Sequence, residues 1–387
     1  TEVHYAAKPA LLTLRSGEHV SFKDFVESRC KSLYRPFRPD RWLLNGHLQT
    51  LYCVFGNFEK VNQVDYRRTF IRTREGGTIG LDWVHRPHTD SLPDDTPIVV
   101  VKHGLTGGSY EAYVRCILDP ATRSRAEGGL GYRAVVCNFR GCAGVPITSS
   151  RLYSGEATDD LRYETMYIKY RYPNAPVLGL GFSLGGNVLT KYLGEEGSRS
   201  RIDAGCVLGC PWDFVANNIT LNSTPLGTYG YSMGMGKNLQ NIVGLHADSL
   251  TQIPPVPQGT DCLISYEEGA RGGYHENAVA YYRNASSFRA VKDIRVPFLA
   301  INAADDPVDT RAAAENGWAA LALTPHGGHL GWFEQRDGRH SGQPQRWVQR
   351  PLLEWLCAMG DEFVRKPSVQ DSGPRRLYVD DAGWICE

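Results

Sequence analysis

The sequence has 387 residues, 42% of them hydrophobic and 22% charged, the balance of a folded globular chain and not of a disordered one. Its 42 Lys and Arg match 42 Asp and Glu, so the zero net charge offers no basic footprint for nucleic acid. No apolar run reaches the length of about 18 residues that a membrane-spanning helix needs. The ten cysteines, Cys30, Cys53, Cys116, Cys137, Cys142, Cys206, Cys210, Cys262, Cys357 and Cys386, form no C-x-x-C pair. Several sit inside apolar strand-like runs, which fits buried free thiols in a reducing compartment better than a disulfide framework or a zinc site. An intracellular, cytoplasmic protein is expected. The chain opens on Thr1, so a preceding anchor or targeting segment, and membrane or lipid-droplet association through it, stay open.

Residues 1–60 read as a helix-leaning preamble packing on the core. In "GEHVSFKDFVESRCKSL", Val20, Phe22, Phe25 and Val26 fall at amphipathic spacing. The stretch "YRPFRPDRWLLNGHLQTLY" follows, and its His47 has two readings, a packing residue or part of a site. "RRTFIRTREGGTIGLDWV" predicts a β-hairpin turning at Glu75-Gly76-Gly77. Ile98 to Val101 is a continuous apolar run, typical of a strand buried on both faces, and it ends in Lys102-His103-Gly104-Leu105-Thr106-Gly107-Gly108.

"GYRAVVCNFRG" repeats the pattern of strand then glycine loop, and "TDDLRYETMYIKYRYP" predicts a helix. The next strand, Val177 to Leu180, runs through Gly181-Phe182-Ser183-Leu184-Gly185 into a helix with Val188, Leu189, Tyr192 and Leu193 at helical spacing. "DAGCVLGCPWD", "VPFLAINAADDP" and "WAALALTPHGGHLGW" supply further strands. This alternation predicts an α/β fold, a mostly parallel sheet covered by helices on both faces. Residues 61–364 form that domain. The interval of about 213–289 breaks the alternation and is too long for a structureless loop, so it is expected to be an inserted cap with helices of its own. Residues 365–387 read as a surface tail.

The G-x-S-x-G spacing has a chemical reason. A serine at a sharp strand-to-helix turn is held in strained backbone, and its neighbours must be small enough not to clash. The hydroxyl is a poor nucleophile until a base takes its proton and a third group orients that base. In sheet order the acid follows a later strand and the base a later loop. Asp305 and Asp306 compete for the first role. Counting from Pro297 favours Asp306, while Asp305 would suit capping of the next helix. His329 in "TPHGGHLGW" is the base candidate. His326 is read as a loop or core residue, since H-x-x-H alone is poor evidence for a metal, and no metal or cofactor is expected. The amides of Leu184 and Leu105 would face a developing oxyanion. His103 is read as a residue that organises its loop. Tyr229, Tyr231, Met233 and Met235 lie close together in the insertion. Tyr231 and Met235 are taken as substrate-wall candidates, against the alternative that they pack the cap.

The segments "KHGLTGGS", "NFRGCAGVPITSSRLYSGEATDDLR", "GFSLGGNVLTKYLGEEG", "INAADDP" and "HGGHLGW", with "WLLNGHLQT" upstream, together resemble one group. This is the α/β-hydrolase family of plant embryogenesis-associated proteins, mammalian membrane-linked hydrolase-domain phospholipases and yeast medium-chain fatty-acid ethyl ester synthase/esterases. The resemblance spans roughly residues 35 to 360. It implies an α/β-hydrolase fold, a triad of Ser183, Asp306 and His329, and an acyl ester or thioester as substrate. The expected function is that of a serine hydrolase or acyltransferase passing an acyl group to water or to an alcohol. A biosynthetic acyl-transfer or cyclisation enzyme using the same pocket is the alternative. A non-catalytic binding protein of this fold is a third, though such proteins usually lose a triad member. Nothing in the sequence bears on oligomeric state.

Overall fold

A computed structural model describes residues 1–149, 151–250, 278–306, 315–334, 344–365, 377–380 and 383–386. The first half of the chain forms β1 (Glu2–Tyr5), β2 (Leu11–Leu14), β3 (His19–Ser21), α1 (Phe22–Arg29), α2 (Gly46–Phe55), β4 (Asp65–Arg72), β5 (Thr78–His85), β6 (Ile98–Lys102), α3 (Ala112–Thr122), β7 (Arg133–Asn138) and α4 (Asp159–Arg171). The second half forms β8 (Val177–Phe182), α5 (Leu184–Glu196), β9 (Ala204–Leu208), α6 (Phe214–Leu221), α7 (Met233–Leu245), α8 (Ala278–Ala285), β10 (Phe298–Ala303), β11 (Ala319–Thr324) and α9 (Gln349–Asp361).

Nine strands make one sheet in the order β1-β11-β10-β9-β8-β6-β7-β5-β4. The run from β11 to β7 is parallel throughout. Antiparallel pairs close both edges, β1 on β11 and the β4–β5 hairpin on β7. The parallel strands are apolar without alternation because both faces are covered. Successive residues of β6 show this: Val99 and Val101 enter one core cluster with Phe25 of α1, Ile117 of α3 and Trp355 of α9. Ile98 and Val100 enter the other with Leu161 of α4 and Val188 and Tyr192 of α5. A period-two backbone thus feeds two cores, and the strand ends, free of packing duty, are left to carry loops.

The N-terminal segment departs from the helix-leaning expectation. The helix begins only at Phe22, where the Ser21 hydroxyl accepts the Asp24 amide at 3.1 Å. The residues before it are strands, with Leu12 opposite Val20, and β1 forms an edge of the main sheet. Val20 and Phe22 fit a two-residue period as well as a helical one, so the pattern alone did not separate the two. After β9 the chain forms α6, a π-helical turn over Leu226–Ser232, α7 and, beyond residues outside the description, α8. Residues 251–277 of the expected insertion and most of the C-terminal tail lie outside the described residues. Among the described residues no helix is long and apolar enough to cross a membrane.

Candidate active site

The turn between β8 and α5 holds Ser183 at φ 50° and ψ −121°, a conformation that a non-glycine residue adopts only at a cost of about 1–3 kcal/mol. The fold enforces it on both sides. The Ser183 amide donates to the Leu208 carbonyl of the neighbouring strand at 2.9 Å, and its own carbonyl accepts the Asn187 amide at 3.1 Å. A Cβ at position 185 would lie 2.2 Å from the Lys102 carbonyl oxygen, and one at 181 would lie 2.6 Å from the Gly186 Cα. Those contacts are with backbone, which cannot move aside, so both positions require glycine. The geometry lifts the Ser183 hydroxyl out of the turn, where Oγ lies 2.7 Å from His329 Nε2.

His329 follows β11 and is anchored from three directions. Its amide donates to Thr50 Oγ1 at 2.8 Å, and that hydroxyl donates to the Gly46 carbonyl in the first turn of α2 at 2.7 Å. The preceding Gly328 amide donates to Asp305 Oδ1 at 2.9 Å. On the ring, Nδ1–H donates to Asp306 Oδ2 at 3.0 Å, leaving Nε2 as acceptor for the serine hydroxyl. Asp306 is buried and its amide is tied to the Ala303 carbonyl at 3.1 Å. Burial by itself pulls the His329 pKa down, but the Asp306 charge and hydrogen bond outweigh it and hold the imidazole above its ordinary value.

The two aspartates therefore face different partners. Asp306 reaches the imidazole, whereas Asp305 holds the Gly328 amide and approaches His326 Nδ1 at 3.4 Å. His326 and His329 thus have different acidic partners. The helix that Asp305 was expected to cap lies outside the described residues.

The loop after β6 is fastened by His103, which is fully buried. Its Nδ1–H donates to the Gly104 carbonyl at 2.8 Å and its Nε2 accepts the Phe139 amide at 3.2 Å, linking this loop to the one after β7. Burial pulls its pKa down to about 3, so the ring stays neutral and serves as a two-ended strut. Tyr113 Oη accepts the Gly104 amide at 3.1 Å. Leu105 comes next, half-buried, and it lines the same cavity as Leu184, the first residue of α5. A first-turn amide has no carbonyl partner within its own helix. Beneath the elbow, Lys102 Nζ meets Glu164 Oε1 at 2.9 Å with both side chains buried, and lies 4.3 Å from the centre of the Phe139 ring.

Ser183, Asp306 and His329 open on a cavity of about 440 Å³. Phe214, Leu221 and Tyr282 from the segment after β9 give it an apolar wall, and Leu105 and Leu184 add to its apolar lining. Tyr231 and Met235 line it too, both half-buried, while Tyr229 and Met233 are turned outward at 74% and 46% exposure. The sequence left His47 open between packing and a site and did not single out Gly46 or Thr50; α2 contributes all three to the cavity. Its signal was there in "NGHLQT": Asn45 caps the helix, its side chain accepting the Leu48 amide at 2.9 Å. A Cβ at Gly46 would meet the Asp305 carboxyl at 2.7 Å, so the helix start packs directly on the acid loop.

A model of the alpha/beta hydrolase family matches residues 98–339, well over half of the chain. The chain belongs to that family. Among its relatives, this hydrolase is 33% identical to a Saccharomyces cerevisiae protein named monoacylglycerol lipase, with 84% of this chain and 81% of that protein covered. It is 31% identical to human phospholipase ABHD3, covering 92% of this chain and 87% of the relative. It is 28% identical to the S. cerevisiae medium-chain fatty acid ethyl ester synthase/esterase 2, covering 90% and 91%. These relatives include the phospholipases and the ethyl ester synthase/esterases that its motifs resemble, and the hydrolase is an ester hydrolase.

Proposed function

We propose that the protein cleaves lipid esters through an acyl-enzyme on Ser183. The observation that carries this reading is the continuous hydrogen-bonded chain from Ser183 Oγ to His329 Nε2, at 2.7 Å, and from His329 Nδ1 to Asp306 Oδ2, at 3.0 Å, at the floor of an apolar cavity. Ser183 Oγ attacks the ester carbonyl as His329 Nε2 takes its proton. Asp306 keeps the proton on Nδ1 and stabilises the imidazolium that forms. The amides of Leu105 and Leu184 face the tetrahedral oxyanion. Collapse breaks the bond to the alcohol oxygen, which leaves with the proton held by His329. Water, or an alcohol in the transferase direction, then gives its proton to His329 and attacks the acyl-serine; the bond to Ser183 Oγ breaks as His329 returns the proton to it, releasing acid or new ester.

Three features support the rest of the assignment. The apolar wall from Phe214, Leu221, Met235 and Tyr282 suits a hydrocarbon acyl chain, and these residues, from the described parts of the insertion of about 213–289, supply a cap over it. The relatives are named for lipid esters. The nine described cysteines are all free thiols, consistent with an intracellular setting.

A fluorophosphonate is the direct test. It should add one adduct mass to the folded protein and none to Ser183→Ala. Absence of an adduct on folded wild-type protein would remove the serine mechanism.

A further inference from the structure

At the mouth of the cavity, two polar side chains from separate parts of the chain meet. His47, in the first turn of α2, places Nδ1 3.0 Å from the hydroxyl of Tyr231, which sits in the π-helical turn Leu226–Ser232. The rings lie nearly parallel, with centroids 5.8 Å apart and planes at 18°. Both residues line the cavity that holds Ser183. π-Helical turns are rare and concentrate at functional sites, because the extra residue re-aims a side chain. Here the side chain at the end of the turn is the one that reaches across to α2.

The donors and acceptors of this pair can be counted without knowing the tautomer. A neutral imidazole carries one N–H and a phenol one O–H. One of those two hydrogens is used in the bond between them, whichever way it runs. The pair therefore keeps one donor and at least one acceptor for a third group. Among the described residues, His47 Nε2 has no hydrogen-bond partner, and Tyr231 Oη has only His47. A free donor and a free acceptor suit a ligand that carries hydroxyls, each of which both donates and accepts. The two together do not match a phosphate or carboxylate, which only accepts. The charges agree: no Lys or Arg lines the cavity among the described residues, while Asp305 and Asp306 do. A phosphodiester would enter a field of its own sign with no cation to meet it.

Building on the ester-cleaving reading above, we infer that His47 and Tyr231 recognise the alcohol portion of the ester, and that this portion is neutral and carries a free hydroxyl, as in a partial glyceride. The acyl chain lies along the apolar wall, and the hydroxylated end rests against the His47–Tyr231 pair. An ethyl ester has nothing to offer that pair, and a phosphodiester repels the acids beside it. His47 and Tyr231 are in this sense specificity-determining and take no part in the proton transfer.

The test compares 1-monooctanoylglycerol, ethyl octanoate and dioctanoylphosphatidylcholine, which share an acyl chain. Wild-type kcat/KM should rank them in that order. Tyr231→Phe keeps the ring and removes the hydroxyl, so the glyceride-to-ethyl-ester ratio of kcat/KM should fall about tenfold, the effect of one neutral hydrogen bond, mainly through the KM of the glyceride. His47→Phe should lower the ratio in the same way, and His47→Gln, which retains a donor and an acceptor, should restore part of it. A parallel fall on both substrates, with the ratio unchanged, would mean that the pair only clasps α2 to the π-helical turn, and the inference would be wrong. So would a wild-type preference for phosphatidylcholine. Phosphonate labelling of Ser183 in the same samples separates the two levels of argument. Labelling with an unaltered ratio overturns this inference alone, and no labelling of the wild type overturns the serine mechanism and this inference with it.

Discussion

Substituting Asp306 by Asn changes one atom and tests the whole proton path. In the wild type, Asp306 Oδ2 accepts the His329 Nδ1 hydrogen at 3.0 Å, so Nε2 is free to accept from Ser183 Oγ at 2.7 Å. An asparagine can present its NH2 to Nδ1. The ring proton then moves to Nε2, where it faces the serine and blocks proton abstraction. If it presents its oxygen instead, the negative charge that stabilises the imidazolium is still lost. In serine triads this change lowers turnover about 10⁴-fold, and at about 1.36 kcal/mol per tenfold that is roughly 5.5 kcal/mol of transition-state stabilisation. Asp305→Asn has a different consequence. It keeps an oxygen for the Gly328 amide and loses only the attraction to His326, whose side chain is 53% exposed. A loss of about tenfold or less is expected there, the scale of one weakened hydrogen bond. The assay is kcat/KM on p-nitrophenyl butyrate for both variants, with circular dichroism to confirm folding. Equal losses, or a larger loss for Asp305→Asn, would refute the assignment of the orienting acid.

The base works only when neutral, so kcat/KM should rise with pH through the pKa of His329, with an acid limb above the ordinary histidine value of 6.5. In Asp306→Asn the raising influence is gone and burial remains, so the limb of the residual activity should move to lower pH; a limb that stays in place would mean that another group titrates. Lys102→Met should destabilise the fold by about 3–5 kcal/mol in urea titration, because Glu164 is left buried without its cation. Lys102→Met/Glu164→Leu should regain most of that loss, and a double variant no more stable than the single one would count against the pair as its source. Met235→Ala enlarges the apolar wall and should shift the chain-length profile of p-nitrophenyl esters toward longer acyl groups. Each further buried methylene contributes ~0.8 kcal/mol, so the shift should be severalfold, and an unchanged profile would place Met235 outside the acyl path.

Local sequence carried much of this molecule. The elbow needs Gly181 and Gly185 because short-range contacts forbid a Cβ, and such clashes are written into a few adjacent residues. The buried parallel strands are legible because a strand covered on both faces must be apolar at every position, as Ile98 to Val101 are. The loop bearing His329 is marked by two glycines, Gly327 and Gly328, with positive φ.

Other features depend on which distant segments meet. Asp305 and Asp306 are neighbours of like chemistry, and only the docking of the Gly327–Gly328 loop and of α2 against them gives each its partner. Thr50 receives the His329 amide across 279 positions of chain, and His47 reaches Tyr231 across 184. β1 lies in the stretch that reads as helix-leaning, and its place beside β11 follows from an open sheet edge that the rest of the chain creates. Backbone strain, glycine and burial on both faces act within a few residues and leave a pattern there. A hydrogen bond between remote side chains constrains each end only to be polar and small enough to fit, which histidine, threonine and tyrosine satisfy in many places, so its existence is decided by the tertiary structure.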